Sequence, residues 1–170
     1  MNGRLYLDWN AATPLRPEAR AAMIAAMDLV GNASSIHAEG RAVRGLIEAA
    51  RAQVSQALGA EGADLVFTSG ATEAAALALA GRDLSAAGIE HDAVAAWCRA
   101  DLPVDADGQV RVTDPPRATL QLANSETGIV QDLPEGLAVS DLTQAFGKIP
   151  MAFNWLGCDM GLVSAHKLGG

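Results

Sequence analysis

Lysine is almost missing from this chain: of 170 residues only Lys148 and Lys167 carry a side-chain amine, the other basic residues being arginine. Any chemistry that needs a lysine amine therefore has two candidates. Cysteine is equally scarce. Cys98 and Cys158 cannot make a disulfide framework and do not have the spacing of metal ligands, so no metal site is expected and a reducing cytoplasm is the expected compartment. Basic runs are absent and the formal net charge is -8. Binding to nucleic acid or to an anionic membrane surface needs clustered Lys and Arg, so neither partner is expected. The longest run of small apolar residues, 74–80, is far shorter than the roughly 20 residues that cross a bilayer. Residues 1–8 lack the charged-then-apolar layout of a signal peptide.

What is present describes a packed globule. Half the residues are hydrophobic and 19% are charged, a balance that supports a core rather than disorder. The length suits one domain that buries roughly two thirds of its unfolded surface. The patterning predicts helices over 17–30 and 39–58. Pro17 opens the first, where Met23, Ile24 and Met27 share a face; Gly59 ends the second, whose stripe runs from Val43 to Leu58. A short apolar run at 5–7 precedes them. A strand over 65–68 then leads through Ser69-Gly70 into an alanine-rich helix to Ala80. A strand over 84–87, a helix over 92–99, a turn at 105–108 and apolar runs at 119–123, 137–139 and 160–163 complete the pattern. Strands alternating with helices predict an α/β sandwich with a mostly parallel sheet, whose ligands gather at the carboxyl ends of the strands.

The polar clusters fall at those ends. Thr68-Ser69-Gly70-Ala71-Thr72-Glu73 joins a strand to a helix start, whose free N–H groups and positive dipole end suit a phosphate; the plain alternative is an ordinary N-cap. Ser164-Ala165-His166-Lys167 directly follows an apolar run. An amine held in a partly dry pocket loses basicity and becomes a nucleophile towards aldehydes, whereas a solvated loop lysine is the alternative. Asp141, after 137–139, can pair with a protonated ring nitrogen or merely cap a turn, and Gln144 is close enough to reach a ring substituent. His91 can lie against a flat ring and move protons, or serve as a structural cap. The turn Asn124-Ser125-Glu126-Thr127-Gly128 says little alone. Together these groups are what a pyridoxal phosphate (PLP) site requires.

The ordered set of motifs resembles the cysteine desulfurases, within the class V aminotransferase group of fold-type I PLP enzymes. The likeness is carried by Tyr6-Leu7-Asp8 with Thr13-Pro14, Gly31-Asn32-Ala33-Ser34-Ser35 with His37, the stretch 67–73, Glu90-His91, the 124–128 turn, Asp141 with Gln144 and Gly147-Lys148, and 164–167. The resemblance implies a PLP-dependent transferase-like large domain, mostly parallel sheet between helices and truncated after the cofactor lysine: a 1–14 N-terminal segment, then a partial PLP-binding domain over 15–170. It implies that Ala71, Thr72, Ser164 and His166 hold the phosphate, that His91 stacks on the ring, and that Asp141 pairs with the ring nitrogen. Gln144 would bond the ring hydroxyl, Asn124 would supply an amide, and Asn32 would border the substrate. Lys167 would hold PLP as a Schiff base and act as acid and base.

The implied reaction removes sulfur from L-cysteine, leaving alanine and a persulfide, as in sulfur transfer for iron–sulfur cluster assembly. A homodimer and a sulfur-acceptor protein are the implied partners. The alternatives are a selenocysteine lyase, an aminotransferase, or an inactive fragment without the sulfur-accepting cysteine. The chain also departs from the pattern. Ser125 stands where many relatives have a second Asn, and Ala11-Ala12-Thr13-Pro14 replaces Ala-Thr-Thr-Pro. The connections over 80–84 and 131–140 are short, and the second has no room for a crossover helix. The loop cysteine and the carboxylate-binding Arg of the family lie beyond the matched region, and neither Cys98 nor Cys158 falls at the corresponding place.

Overall fold

The computed structural model describes residues 3–170. Met1 and Asn2, which open the expected 1–14 segment, lie outside the described residues. Pro17 presets the first turn of helix α1, Pro17–Met27, because its fixed φ suits the helix and its missing N–H would have had no partner there. Helix α2, Ala38–Leu58, begins where the His37 ring accepts the Gly40 N–H at 3.4 Å. It ends at Gly59, whose φ of +61° and 2.7 Å approach of a built Cβ to the Ala152 Cβ leave room only for glycine. Helix α3, Ala71–Leu79, follows Gly70. Its alanines allow close packing, and Ala75 and Leu79 are buried with Leu84, Val94, Val139 and Leu162 as the main core.

The strands form one parallel series. Strand β1, Ser85–Ala87, pairs with β2, Arg99–Leu102, and β3, Ser140–Asp141, pairs with β4, Gly161–Leu162, both in parallel. Parallel bridges from Ser85 to Ala118 and from Thr119 to Val139 join the two ladders through the 118–120 segment. The 105–108 turn folds back as a hairpin, closed by the antiparallel Val104–Val110 bridge.

Several expectations are corrected. Helix α4 spans only Asp92–Ala95, not 92–99. The sheet captures the remainder: the Arg99 N–H donates to the Leu84 carbonyl at 2.9 Å, and its guanidinium pairs with Asp83 and Asp101. The 65–68 run is extended but joins no ladder, and Val66 is 74% exposed. Residues 5–7 likewise form no strand. Helix α1 stops three residues early and buries none of its side chains, while α2 buries only Gly40 and Leu58. Their apolar faces are open.

Among the described residues no α-helix follows α4; only short 3-10 turns at Pro115–Arg117, Phe153–Trp155 and Ala165–Lys167 remain. The 131–139 connection holds no helix, in keeping with its length. No described helix is long and apolar enough to cross a membrane.

Candidate functional site

Five parts of the fold meet around a cavity of about 370 Å³ at the carboxyl end of the sheet: the start of α3, the turn after β1, the 121–125 segment, the end of β3 and the turn after β4. At α3 the Glu73 carboxylate accepts the Ser69 N–H at 2.6 Å, and that bond, followed by one from the Ser69 hydroxyl, holds Glu73 below the usual carboxylate range. Gly70 offers no side-chain cap. Ala71 and Thr72 line the cavity with the first helical turn open to a ligand, which suits an anion.

His91 does two things at once. Its Nδ1 accepts the Ala93 N–H at 3.1 Å, capping α4, while the ring lines the cavity. That bond assigns the proton of the neutral ring to Nε2. Asp141 Oδ1 accepts the Thr143 N–H at 2.8 Å. Among the described residues Oδ2 takes no hydrogen bond, and Asp141 lines the same cavity. Ser164 Oγ and His166 Nδ1 lie 2.8 Å apart. Burial, and then the charge of Lys167, lower the His166 pKa, so this imidazole is neutral near pH 7.

The two lysines separate here. Lys167 lines the cavity and its ammonium donates to the Asn10 carbonyl. Gln144 Nε2 donates to the same carbonyl at 3.1 Å, and Gln144 Oε1 accepts from Lys148. Lys148 has the lowered pKa, from burial and then from the charge of Lys167, yet it is tied to Gln144 and is not a cavity residue. Of the two amines, Lys167 is the one that lines the cavity. The N-terminal segment fastens this turn: the Thr13 N–H and hydroxyl donate to the His166 and Lys167 carbonyls at 2.9 and 2.8 Å, and Arg16 N–H donates to the Gly169 carbonyl.

Two residues singled out from sequence stand elsewhere. Asn124 is buried; its Nδ2 donates to the Ile89 carbonyl and its Oδ1 accepts the Glu126 and Thr127 N–H groups, so its amide braces the 124–128 turn. Its neighbour Ser125 lines the cavity instead. Asn32 accepts the Ser34 N–H and its carbonyl lies against Gly40, away from the cavity. The sequence reading also passed over Gln121 and Thr143, both cavity residues. Thr119 and Gln121 interrupt an apolar run at a period of two, a signal that one face of that strand is polar.

Both thiols lie outside the cavity, and burial pushes each up to about 11. Among the described residues no group of His, Cys, Asp and Glu could hold a metal ion. A larger groove of about 610 Å³ between Leu58, Val66, Leu77 and Met160 is mainly apolar and has no amine or imidazole.

The family model described as Aminotransferase class-V matches residues 5–99, more than half the chain, and the chain belongs to that family. Among relatives it is similar to a cysteine desulfurase of Cereibacter sphaeroides, 37% identical over 98% of this chain and 53% of the relative. It is also similar to the cysteine desulfurase IscS of Dictyoglomus turgidum, 34% identical over 100% of this chain and 52% of that protein. Among solved structures, a NifS-like protein of Rickettsia africae superposes with a TM-score of 0.81 at 31% identity, over 97% of this chain and 55% of the other. A structure of SspA in complex with cysteine gives 0.85 at 25% identity, over 98% and 58%. The chain thus spans about half the length of the curated relatives it matches. The 205 aligned positions of the first relative exceed the 170 residues here, so that relative carries extra residues within the matched span, in line with the short connections.

Proposed function

We propose that this chain is the PLP-binding part of a cysteine desulfurase. One observation carries the reading: a lysine amine, a carboxylate, an imidazole and an uncapped helix start converge on a single cavity of about 370 Å³, of the size that holds a small cofactor. The donor set fits PLP. Ala71, Thr72, Ser164 and His166 would hold its phosphate, Asp141 Oδ2 its ring nitrogen, Gln144 its ring hydroxyl, and His91 its ring face. When bound, PLP supplies an electron sink for charge developing on the substrate's alpha carbon.

The chain's own residues do the rest. Asp141, oriented through its bond to Thr143, would offer its free carboxyl oxygen to the ring nitrogen. The α4 cap holds the His91 ring in one orientation with its proton on Nε2. Lys167 would hold PLP covalently, which requires its Nζ to leave the Asn10 carbonyl, and the same amine is placed to move a proton at the substrate's alpha carbon. Cys98 and Cys158 are outside the cavity with protonated thiols, so the sulfur of L-cysteine would pass as a persulfide to a cysteine elsewhere, leaving alanine. A sulfur-acceptor protein serving iron–sulfur assembly fits that need. The open apolar faces of α1 and α2 support a homodimer, and two unpaired thiols suit a reducing cytoplasm.

Added PLP should give a yellow band, trapped by borohydride on Lys167 and lost in Lys167→Ala. Label on Lys148 would overturn the assignment. Sulfide plus alanine from L-cysteine, with a reductant as sulfur acceptor, supports a desulfurase. Keto-acid exchange would indicate an aminotransferase instead, selenide release with inert cysteine a selenocysteine lyase, and a band with no turnover a binding fragment.

A further inference from the structure

Glu90 is a buried carboxyl group that the mechanism above does not use. It is 8% exposed and sits in the turn after β1, next to His91. Its Oε1 accepts the Gln121 N–H at 2.7 Å. Its Oε2 is buried with no hydrogen-bond partner. The next residue along that segment, Leu122, donates its N–H to the Asp141 carbonyl at 3.0 Å. Glu90 and Asp141 therefore flank one short stretch of backbone, and the two carboxyl groups repel. Two further bonds fasten the turn, from Gln121 Nε2 and Asn124 Nδ2 to the Ile89 carbonyl.

We infer that Glu90 is a positioning residue for the cavity: it bridges the His91 turn to the 121–124 segment as a neutral acid and so adds no carboxylate charge beside Asp141. This rests on the PLP reading for its purpose, but not for its test. An ionised carboxylate buried with one oxygen unsolvated is costly, and a second negative charge nearby makes it costlier. Removing the charge by keeping a proton on Oε2 answers both. Burial first, opposed by the Gln121 bond and helped by Asp141, raises Glu90 to about 7. The titratable groups facing it are Asp141 from β3 and the Cys98 thiol, which the charge of Glu90 pushes up; His91 adjoins it in the chain. Geometry places the proton on Glu90, whose Oε2 is buried without a partner, whereas Asp141 lines the cavity and accepts the Thr143 N–H.

The sign of the pH effect follows. In the unfolded chain Glu90 loses its proton in the ordinary carboxylate range, and in the folded chain only near neutrality, so stability falls as pH rises between the two. Glu90→Gln keeps the acceptor for Gln121 N–H and cannot ionise. Without cofactor, the Tm of the wild type should drop by several degrees relative to E90Q between about pH 5 and about pH 8. Its infrared spectrum at about pH 6 should show the carbonyl stretch of a protonated acid that E90Q lacks. With PLP, the bound-cofactor band of the wild type should inflect near neutral pH and that of E90Q should not. At about pH 6, E90Q should bind PLP within about twofold of wild type and Glu90→Ala about tenfold more weakly. A Tm difference independent of pH, or an infrared band that titrates in the ordinary range, overturns the neutral acid. PLP bound by both proteins with the same pH profile overturns the role toward the ring alone. PLP bound by neither at any pH removes the cofactor reading and that role together, while the infrared result stands.

Discussion

His91 shows how a single side chain can satisfy two readings. Its Nδ1 caps α4 while the ring forms part of the cavity wall, and the two contributions can be separated by substitution. His91→Asn retains a capping oxygen and His91→Ala does not. Denaturant melts should find H91A less stable by about 1 kcal/mol and H91N near wild type, whereas both should lose PLP affinity through the missing ring. Cys98 and Cys158, raised to about 11, should react slowly with thiol reagents in the native state, and serine at either position should leave sulfide release unchanged. At this scale the sequence placed Lys167 after one apolar run and Asp141 at the end of another, and the fold brings both to the same cavity. Asn124 was not legible, because an amide in a polar turn can face a ligand or its own backbone, and only the fold shows that its oxygen is taken by Glu126 and Thr127. Glu90 was hidden for a similar reason: burial is not visible in a Glu-His pair.

Among the elements, helices were read most faithfully where a stop signal is chemical. Gly59 ends α2 because its backbone is left-handed and Ala152 crowds it. Gly59→Ala should cost about 2 kcal/mol or more, measured by urea unfolding, since a strained φ and an overlap are imposed together. Where tertiary pairing competes with local preference the reading failed. Residues 96–99 have helical composition, but Arg99 is drawn into the sheet by the Leu84 carbonyl and by Asp83 and Asp101. The 65–68 run has a strand's composition and no strand's partner, so Val66 and Phe67 are left outside. The Arg51 guanidinium supports it, donating to the Leu65 carbonyl and lying 5.0 Å from the centre of the Phe67 ring.

For the whole molecule, the parallel sense of the sheet was inferable from alternation, but the order of the strands and the uneven cover were not. Helices pack on the sheet through α3 and α4, while the later connections cross with 3-10 turns only. Exposed Met23, Ile24 and Met27 on α1 form apolar surface that a second copy can bury. Light scattering should find concentration-dependent association, reduced by Ile24→Glu with Met27→Glu, with little change in helical circular dichroism because α1 buries nothing.

The hydrogen bond from the Thr13 hydroxyl to the Lys167 carbonyl spans 154 positions. Bringing such distant residues together is entropically demanding and comes late in folding, after the intervening strands have reduced the search. The turn that presents the amine should thus be the last knot tied. In refolding experiments, PLP capture should lag behind the recovery of helix signal, and Thr13→Ala should lengthen that delay without slowing the earlier phase.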